Sequence, residues 1–452
     1  MSKRIVLYVP DGVGIRNYLY SRVFKDRDAE LILYHNFDPT TLKNLEDSLT
    51  IQQSLEAPGF KEGIKEKFYR ELIHCARLRF HARRCNNATL LSSWNRPKRG
   101  LKNKVFYKLV NMASYKFRSY NSILELEQKY DAIVRSTELY QKAKAQLQDL
   151  NADILFCTHQ RALKAPAVYA AARDLGIQTV AVIYSWDNIP KARLALKADK
   201  YLVWSDFMKA QLQEFYTEID ADKIVVSGTP QFEFYKEEHR YMSREAFAEE
   251  LGLDLTRKWI CFSGDDVMTS PQDPLYLKDL AKAMTKNDMQ QQYQVIFRRC
   301  PVDVSGRYDK IVAQFPELIK AVPPKWNVDR AVWSAIYPTE EDTDLLVNMA
   351  RHCEMVINVG STMAFDFGMF DKPCVFINYD QPESGLWSVN TVYKYQHFRS
   401  MTDHEAVMWW NSPEEIVKLI RSADPNSTTI RNWMAKIIGD PVASDRIYEA
   451  IQ

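Results

Sequence analysis

The chain has 452 residues, of which 46% are hydrophobic and 26% are charged, as is usual for soluble globular proteins. This composition excludes a disordered chain, a collagen-like repeat and a fibrous heptad rod, and the length predicts two or three domains at roughly 100–200 residues each. Sixty basic and 58 acidic residues give a net charge of +2, which argues against a dedicated nucleic-acid-binding protein.

The first 60 residues have the pattern of a parallel α/β layer. The apolar run RIVLYVP at 4–10 predicts a buried strand, and the turn Asp11-Gly12-Val13-Gly14 follows it. A helix is expected from about Arg16, and a second strand at ELILYHNF, 30–37. This order of strand, glycine-bearing turn, helix and strand is typical of α/β domains.

Residues 60–147 interrupt this pattern with a helical, almost glycine-free insert. Between residues 61 and 119 there are 16 Lys or Arg and only three acidic residues, a local charge of +13. The basic residues alternate with Phe, Tyr, Leu and Trp, as in amphipathic helices that bind an anionic membrane surface. The same pattern fits an anionic acceptor, or a solvated face packed against the more acidic remainder of the chain.

The α/β pattern resumes at Asp153 with strands at ADILFCT, QTVAVIYSW, KYLVWS and DKIVVSGTP, and it reaches a turn at 228–230. A second series follows, with strands at RKWICFSG, YQVIFRR, EMVINVG and KPCVFINY alternating with helices. We therefore expect one Rossmann-like lobe at 1–230, a second at 231–425 and terminal helices at 426–452. In such sheets, ligands bind beyond the carboxyl ends of the strands.

The seven cysteines are odd in number and show no CxxC spacing, which indicates reduced thiols of a cytosolic protein rather than a zinc site. No apolar run approaches the roughly 18 residues of a membrane span. We expect a cytoplasmic protein, with peripheral attachment to the inner face of the membrane as one consequence of the basic insert.

The strongest signal for a binding site lies in residues 354–380. A buried strand ends at Gly360-Ser361-Thr362, where a helix begins, and the free N–H groups of a helix start favour a phosphate. Asp366 follows one helical turn later and is placed to accept hydrogen bonds from ribose hydroxyls. The alternative is an ordinary capped helix with Asp366 as a solvated acid.

This stretch resembles the donor-binding segment of GT-B glycosyltransferases and their relatives, in which Gly, Ser or Thr and an acid precede a Lys-Pro strand, here Asp371-Lys372-Pro373-Cys374-Val375. The groups that it most resembles are bacterial surface-polysaccharide glycosyltransferases, CDP-glycerol glycerophosphotransferases and non-hydrolysing UDP-N-acetylglucosamine epimerases. The resemblance covers the architecture of most of the chain, while its specific motifs lie between about 180 and 380. It implies two Rossmann-like lobes that face a cleft, with a terminal helix packed back across them.

Three further segments fit this resemblance. KIVVSGTPQFEFY resembles the stretch that closes the first lobe, and ICFSGDD places Gly264 where relatives have a loop near the donor phosphates. VIFRRCPVD lies where many relatives carry a histidine before proline, a position that Cys300 occupies here. Arg298 and Arg299 could supply the missing positive charge to a phosphate, or they could form a surface ion pair.

Candidates for proton transfer lie in the first lobe. Asp11 is the best base by position, although an Asp before glycine also forms turns. His159 ends the strand ILFCTH and is the second candidate, since histidine titrates near neutral pH; it could equally bond the backbone. Asp187 is the third, and the adjacent Trp186 suits stacking on a sugar ring or packing in a turn. His397 and His404 are expected to be surface or capping residues.

The resemblance implies transfer of a sugar from a nucleotide-sugar donor to a glycan or lipid-linked hydroxyl, in surface polysaccharide or glycoconjugate synthesis, without a metal or cofactor. The alternative is a metal-dependent reaction, in which Asp265 and Asp266 would bind the metal ion. A CDP-activated polyol-phosphate transferase, a sugar-nucleotide epimerase and a non-catalytic binding protein remain alternatives, and nucleic acid is not an expected partner. The predicted donor-binding residues are Gly264, Arg298, Arg299, Gly360, Ser361, Thr362 and Asp366; the predicted acceptor-side residues are Gly12, Gly14 and Trp186, with Asp11, His159 and Asp187 as catalytic candidates.

Overall fold

Two parallel β-sheets organise the chain, as the sequence predicts. A computed structural model describes residues 2–46, 49–94, 100–194, 196–328, 336–382, 385 and 387–452. The sheets have seven and six strands, and the expectation of two Rossmann-like lobes is confirmed. All seven cysteines are free thiols. No helix in the described part of the chain is long and apolar enough to cross a membrane.

The central strands of the first sheet are apolar runs that are buried on both faces, as parallel sheets require. Its strands are β1 (Lys3–Val9), β2 (Ala29–His35), β3 (Gln53–Glu56), β4 (Ile154–Cys157), β5 (Gln178–Val182), β6 (Lys200–Val203) and β7 (Ile224–Val226). The spatial order is β3-β2-β1-β4-β5-β6-β7, with Ile5 of β1 paired to both Leu31 and Ile154. The strand order therefore reverses between β1 and β4, and this switch point is where a ligand is expected.

The helices of the first lobe fall into two groups: those that cover the sheet, and the insert between β3 and β4. They are α1 (Ile15–Tyr18), α2 (Pro39–Glu46), α3 (Ile64–Arg84), α4 (Leu101–Ser114), α5 (Tyr120–Arg135), α6 (Glu138–Leu150), α7 (Ala165–Asp174) and α8 (Asp206–Phe215). The insert consists of α3 to α6. Three of its basic residues, Arg96, Lys98 and Arg99, lie outside the described residues.

The second sheet repeats the same plan. Its strands are β8 (Lys258–Ser263), β9 (Tyr293–Arg298), β10 (Ile319–Ala321), β13 (Met355–Asn358), β14 (Cys374–Ile377) and β15 (Met408–Trp410). A separate antiparallel pair is formed by β11 (Trp326–Val328) and β12 (Ile336–Pro338). The spatial order is β10-β9-β8-β13-β14-β15. The order reverses between β8 and β13, so Gly264 and Gly360 follow the two strands at this second switch point.

The remaining helices cover the second sheet and return to the first lobe. They are α9 (Arg244–Leu251), α10 (Asp273–Lys286), α11 (Asp309–Gln314), α12 (Glu340–His352), α13 (Met363–Gly368), α14 (Val389–Val392), α15 (Ile416–Ser422), α16 (Arg431–Ile438) and α17 (Ser444–Ile451). Ile447 and Ile451 of α17 are buried in the same apolar cluster as Ile5 and Leu7 of β1. The C-terminal helix thus packs on the first lobe.

Candidate functional site

Asp11 and His159 form a hydrogen-bonded pair at the switch point of the first sheet. Asp11 follows β1 and His159 follows β4, and the Nδ1 atom of His159 lies 2.7 Å from Oδ2 of Asp11. The other carboxylate oxygen of Asp11 accepts from the Val13 backbone N–H at 3.1 Å. Both side chains keep 12% exposure, so a small ligand can reach them. A carboxylate that fixes one ring nitrogen leaves the other free to exchange a proton.

The ring of His159 is also held from the side. Tyr184, just beyond β5, contacts it edge to face with 4.8 Å between the ring centroids. The histidine orientation is therefore set by one hydrogen bond and one ring contact. Asp11 forms the turn that was the alternative to its role as a base, because one oxygen accepts from the Val13 N–H, and its other oxygen binds His159.

Gly12 and Gly14 allow close approach of backbone and side chains from elsewhere. A Cβ atom on Gly12 would lie 2.1 Å from the carbonyl oxygen of Ile336 in β12, and one on Gly14 would lie 2.2 Å from Cβ of Thr158. The first contact joins the two lobes beside Asp11. Each glycine thus has a packing role that is independent of any acceptor.

Asp366 on α13 is a buried carboxyl that interacts with the first lobe. Burial raises its pKa to about 6, and the charge of Arg16 together with hydrogen bonds from Tyr235 and Gln231 only partly opposes this. Its Oδ1 atom is buried without a hydrogen-bond partner among the described residues. Arg16 belongs to α1, directly after the glycine-bearing turn, and was not singled out from the sequence.

Arg298 at the end of β9 is buried, and only one of its two terminal nitrogens has a hydrogen-bond partner among the described residues. Its Nη2 atom donates to both carboxylate oxygens of Asp342 at 2.9 Å, while Nη1 is buried with no partner among the described residues. The Asp342 carboxylate also accepts from Trp326 Nε1 at 2.7 Å and from the Lys325 N–H at 2.8 Å. One nitrogen of Arg298 is therefore available to a ligand, and the other is committed to the fold.

Arg299 has a different environment from its neighbour. Its Nη1 atom donates to the backbone carbonyls of Cys300, Pro301 and Asp303 at 3.3, 3.1 and 3.0 Å. The guanidinium therefore closes the loop after β9. This geometry orders the loop that follows Arg298 and leaves less of the Arg299 guanidinium for a phosphate.

The loop after β8 is tightly packed around Gly264. A Cβ atom there would lie 2.6 Å from the hydroxyl of Tyr308. Burial, with the neighbouring charges of Asp273 and Asp266, holds the pKa of Asp265 well above its usual range. The Asp266 carboxylate accepts from the N–H groups of its own turn. Within the described ranges, no group of three or more His, Cys, Asp or Glu side chains is arranged to hold a metal ion.

The segment Gly360-Ser361-Thr362 lies between the two lobes. Gly360 has φ +67°, which favours glycine, and a Cβ atom there would lie 2.7 Å from the ring of Phe398. The Ser361 N–H donates to Oδ1 of Asn358 at 2.8 Å. The Thr362 hydroxyl accepts from Trp186 Nε1 at 3.1 Å, which links this helix start to the loop after β5 of the first lobe.

Trp186 is buried, with only 4% exposure, and not available to stack on a sugar. Its ring meets those of Phe365, His397, Phe398 and Trp433 edge to face, with centroids 4.7–5.9 Å apart. A buried indole whose N–H is bonded anchors an interface. We conclude that Trp186 fixes the position of the first lobe against α13 and α16.

Asp187 lies beside this contact in an ion-paired setting. Burial alone would raise its pKa, but the charges of Lys191 and His397 and hydrogen bonds from Lys191 and Ser185 hold the pKa well below its usual range. Burial lowers the pKa of His397 to about 4. His397 is thus an interface residue rather than a surface one, whereas His404 is exposed.

A series of contacts joins the Asp11 turn of the first lobe to α13 of the second lobe and leads back to α1 of the first lobe. Asp11 bonds His159, whose ring touches Tyr184; two residues on, Trp186 bonds Thr362 of the second lobe. One turn along α13, Asp366 interacts with the charge of Arg16, five residues after Asp11. These contacts connect Asp11 and His159 of the first lobe with Thr362 and Asp366 of the second lobe.

The fold is shared with enzymes that act on sugar nucleotides. No protein-family model and no curated protein matches the chain. Among solved structures, a UDP-N-acetylglucosamine 2-epimerase is 12% identical with a TM-score of 0.55, over 100% of this chain and 96% of the other. The UDP-GlcNAc 2-epimerase from Neisseria meningitidis, bound to UDP-GlcNAc, is 10% identical with a TM-score of 0.50, over 100% and 99%. A glycosyltransferase from Rickettsia africae is 12% identical with a TM-score of 0.52, over 99% and 96%. At these identities the likeness is one of fold.

Proposed function

We propose that this chain is an enzyme that acts on a nucleotide sugar held between its two lobes. The observation that supports the proposal is that Arg298 Nη1 and Asp366 Oδ1 are buried without partners among the described residues, while Asp11 orients His159 at the switch point of the first sheet. Buried polar atoms without partners are costly, so they favour a polar ligand that completes them. The fold neighbour that binds UDP-GlcNAc is consistent with this class of ligand.

The second lobe is assigned to the nucleotide. The free nitrogen of Arg298 would donate to a diphosphate oxygen, and Oδ1 of Asp366 would accept from a ribose hydroxyl. Gly264 and the segment 360–362 would bring backbone close to the diphosphate, with Arg299 holding the loop beside it. Arg16 would add positive charge from the first lobe. No metal is required in this assignment, because guanidinium groups meet the charge of the diphosphate.

The first lobe is assigned to proton transfer. In glycosyl transfer, His159 would take the proton of an acceptor hydroxyl while that oxygen bonds the anomeric carbon and the sugar–phosphate bond breaks, releasing the nucleoside diphosphate. Asp11 would orient the ring and stabilise the imidazolium that forms. The ion pair of Asp187 with Lys191 makes its carboxylate a weak base, so its proposed role is positional. The acceptor would be a glycan or lipid-linked hydroxyl, as in surface polysaccharide synthesis.

A second candidate, sugar-nucleotide epimerisation, uses the same groups without an acceptor. The observation that favours it is the Asp11–His159 pair itself. His159 would remove the proton beside the anomeric carbon while the electron pair forms a C=C bond and the nucleoside diphosphate leaves; return of a proton to the other face and of the diphosphate to the anomeric carbon would give the epimer. The fold neighbours named as 2-epimerases agree with this reaction. A CDP-activated polyol-phosphate transferase would use the same second lobe with a different donor.

Binding and turnover distinguish these candidates. Thermal shift with UDP, GDP, CDP and dTDP identifies the nucleobase, because a ligand that binds only the folded state raises the melting temperature. Proton NMR in D2O, with the matching nucleotide sugar and no acceptor, then separates the reactions. An epimerase accumulates a second sugar nucleotide with deuterium at the inverted carbon, whereas a transferase releases nucleoside diphosphate only when an acceptor is added.

The matched variants are His159→Gln and His239→Gln. His239 is an exposed histidine at the surface, so its replacement serves as the control. We expect His159→Gln to lower turnover by roughly 10²–10⁴-fold with nucleotide binding retained, since that is the usual contribution of a general base. Nucleotide binding without turnover of any donor would instead indicate a non-catalytic protein, and the absence of any nucleotide binding would contradict the proposal.

A further inference from the structure

Helix α4 of the insert exposes an apolar stripe to solvent. Leu101, Val105, Leu109 and Met112 are 77%, 51%, 55% and 60% exposed, and Tyr115 just after the helix is 51% exposed. Their spacing of four, four, three and three residues places them on one face, over about 16 Å from Leu101 to Met112. Hydrophobic side chains at this exposure are common singly, but an unbroken stripe indicates a binding surface.

The opposite face of the same helix is the one that packs on the protein. Tyr107, Val110 and Ser114 are buried there against the rest of the insert. Because these buried side chains already attach α4 to the protein, the outward stripe is not needed to hold the helix in place. The stripe is therefore available to a partner.

The charge around the stripe is of one sign. Lys102, Lys104 and Lys108 are exposed on α4, Lys116 and Arg118 follow it, and residues 101–119 contain no Asp or Glu. Among the described residues, no carboxylate lies within ion-pair distance of these five cations. On neighbouring α3 the situation differs, since the buried Arg70 and Arg77 are each paired with two glutamates.

We propose that the outward face of α4 docks on an anionic lipid bilayer. The helix would lie in the plane of the headgroups, with the leucine and methionine side chains in the acyl boundary and the lysines against lipid phosphates. A second copy of the chain is disfavoured as the occupant, because two such faces would bring like charges together. This inference goes beyond the proposed enzyme activity and does not depend on it.

Vesicle co-sedimentation tests the proposal with the full-length protein. Vesicles of phosphatidylcholine alone are compared with vesicles in which part of it is replaced by phosphatidylglycerol. We expect binding to the anionic vesicles only, weakened by added salt. Leu109→Glu and the double variant Lys104→Glu/Lys108→Glu should each lower the partition coefficient by roughly tenfold or more, since each basic residue near such a surface contributes about fivefold.

The matched controls are exposed residues outside the stripe. Leu255 in the second lobe is 48% exposed and Lys129 on α5 is exposed, so Leu255→Glu and Lys129→Glu should bind vesicles like the unaltered protein. All of these positions are exposed, so circular dichroism and melting temperature should not change. Nucleotide binding should also be unchanged, which separates this test from that of the enzyme activity.

Two results would overturn the proposal. One is equal vesicle binding by Leu109→Glu and Leu255→Glu. The other is a protein that does not bind anionic vesicles but shows concentration-dependent dimerisation that Leu109→Glu abolishes, which would make the stripe a contact between copies of the chain.

Discussion

Replacing Asp366 with asparagine should stabilise the protein at pH 7. Burial raises the pKa of Asp366 in the folded state to about 6, against 3.8 for an ordinary aspartate side chain. The folded state therefore holds this proton more tightly than the unfolded state, and the stability contributed by the protonated form is lost as pH rises from about 4 to 6. At 1.36 kcal/mol per pKa unit, the ionised carboxylate costs about 3 kcal/mol at pH 7. Asparagine has the same shape and avoids this cost.

The shift in melting temperature is small but measurable. Unfolding entropy of roughly 2 cal/mol/K per residue gives about 3 °C for 3 kcal/mol in a chain of this length. Differential scanning calorimetry of Asp366→Asn should show this increase at pH 7, a smaller one at pH 5 and none near pH 4. Asp371→Asn removes a surface carboxylate paired with Arg431 and should be nearly neutral. An Asp366→Asn protein that melts lower than the unaltered protein at pH 7 would refute the reasoning.

Three other substitutions probe the interface and the insert. Asp187→Asn should act in the opposite direction, with a loss of about 2 kcal/mol at pH 7 that becomes progressively smaller as pH falls below about 4, because this carboxylate is stabilised in its ionised form; urea unfolding at pH 7 and at successively lower pH values measures it. Gly12→Ala should cost about 1–3 kcal/mol and reduce turnover, since its methyl group meets the Ile336 carbonyl, whereas Gly59→Ala, in open space, should not change calorimetry or kinetics. Arg77→Met should destabilise by about 3–5 kcal/mol in thermal unfolding, because two glutamates lose their buried partner.

The strands that could be predicted from the sequence are those with a long apolar run. Central strands such as β1 and β13 are buried on both faces and therefore consist almost entirely of hydrophobic residues. Within the two parallel sheets, the strands that the sequence does not predict are β3, β10 and β15, which are edge strands of only three or four residues. The short pair β11 and β12, outside these sheets, is not predicted either. An edge strand has one neighbour and little burial, so QSLE of β3 carries no apolar pattern.

From the sequence, only those site residues could be predicted that directly follow a strand. Asp11 and His159 were found because the carboxyl ends of parallel strands meet at one edge of a sheet. The partner of Arg298 is Asp342, 44 residues away and on another element, so the sequence could not show that half of this guanidinium is committed. Trp186 is a residue type that often stacks on sugars, but here its ring is buried against residues from beyond the first lobe, such as Phe365 and Trp433, which the sequence could not show.

The raised pKa of Asp366 has a consequence for ligand binding that tests its proposed role. A ribose hydroxyl that donates to Oδ1 favours the ionised carboxylate, so binding should release a proton between about pH 5 and 6. Affinity for a nucleotide sugar should therefore weaken as pH falls below about 6, by at most tenfold per pH unit.

Calorimetric titrations in buffers of different ionisation enthalpy measure the proton release directly. A nucleotide sugar is the correct probe because its diphosphate diester does not titrate in this range. Asp366→Asn should bind more weakly at pH 7 and lose this pH dependence; if the dependence persists in Asp366→Asn, the ribose contact lies elsewhere.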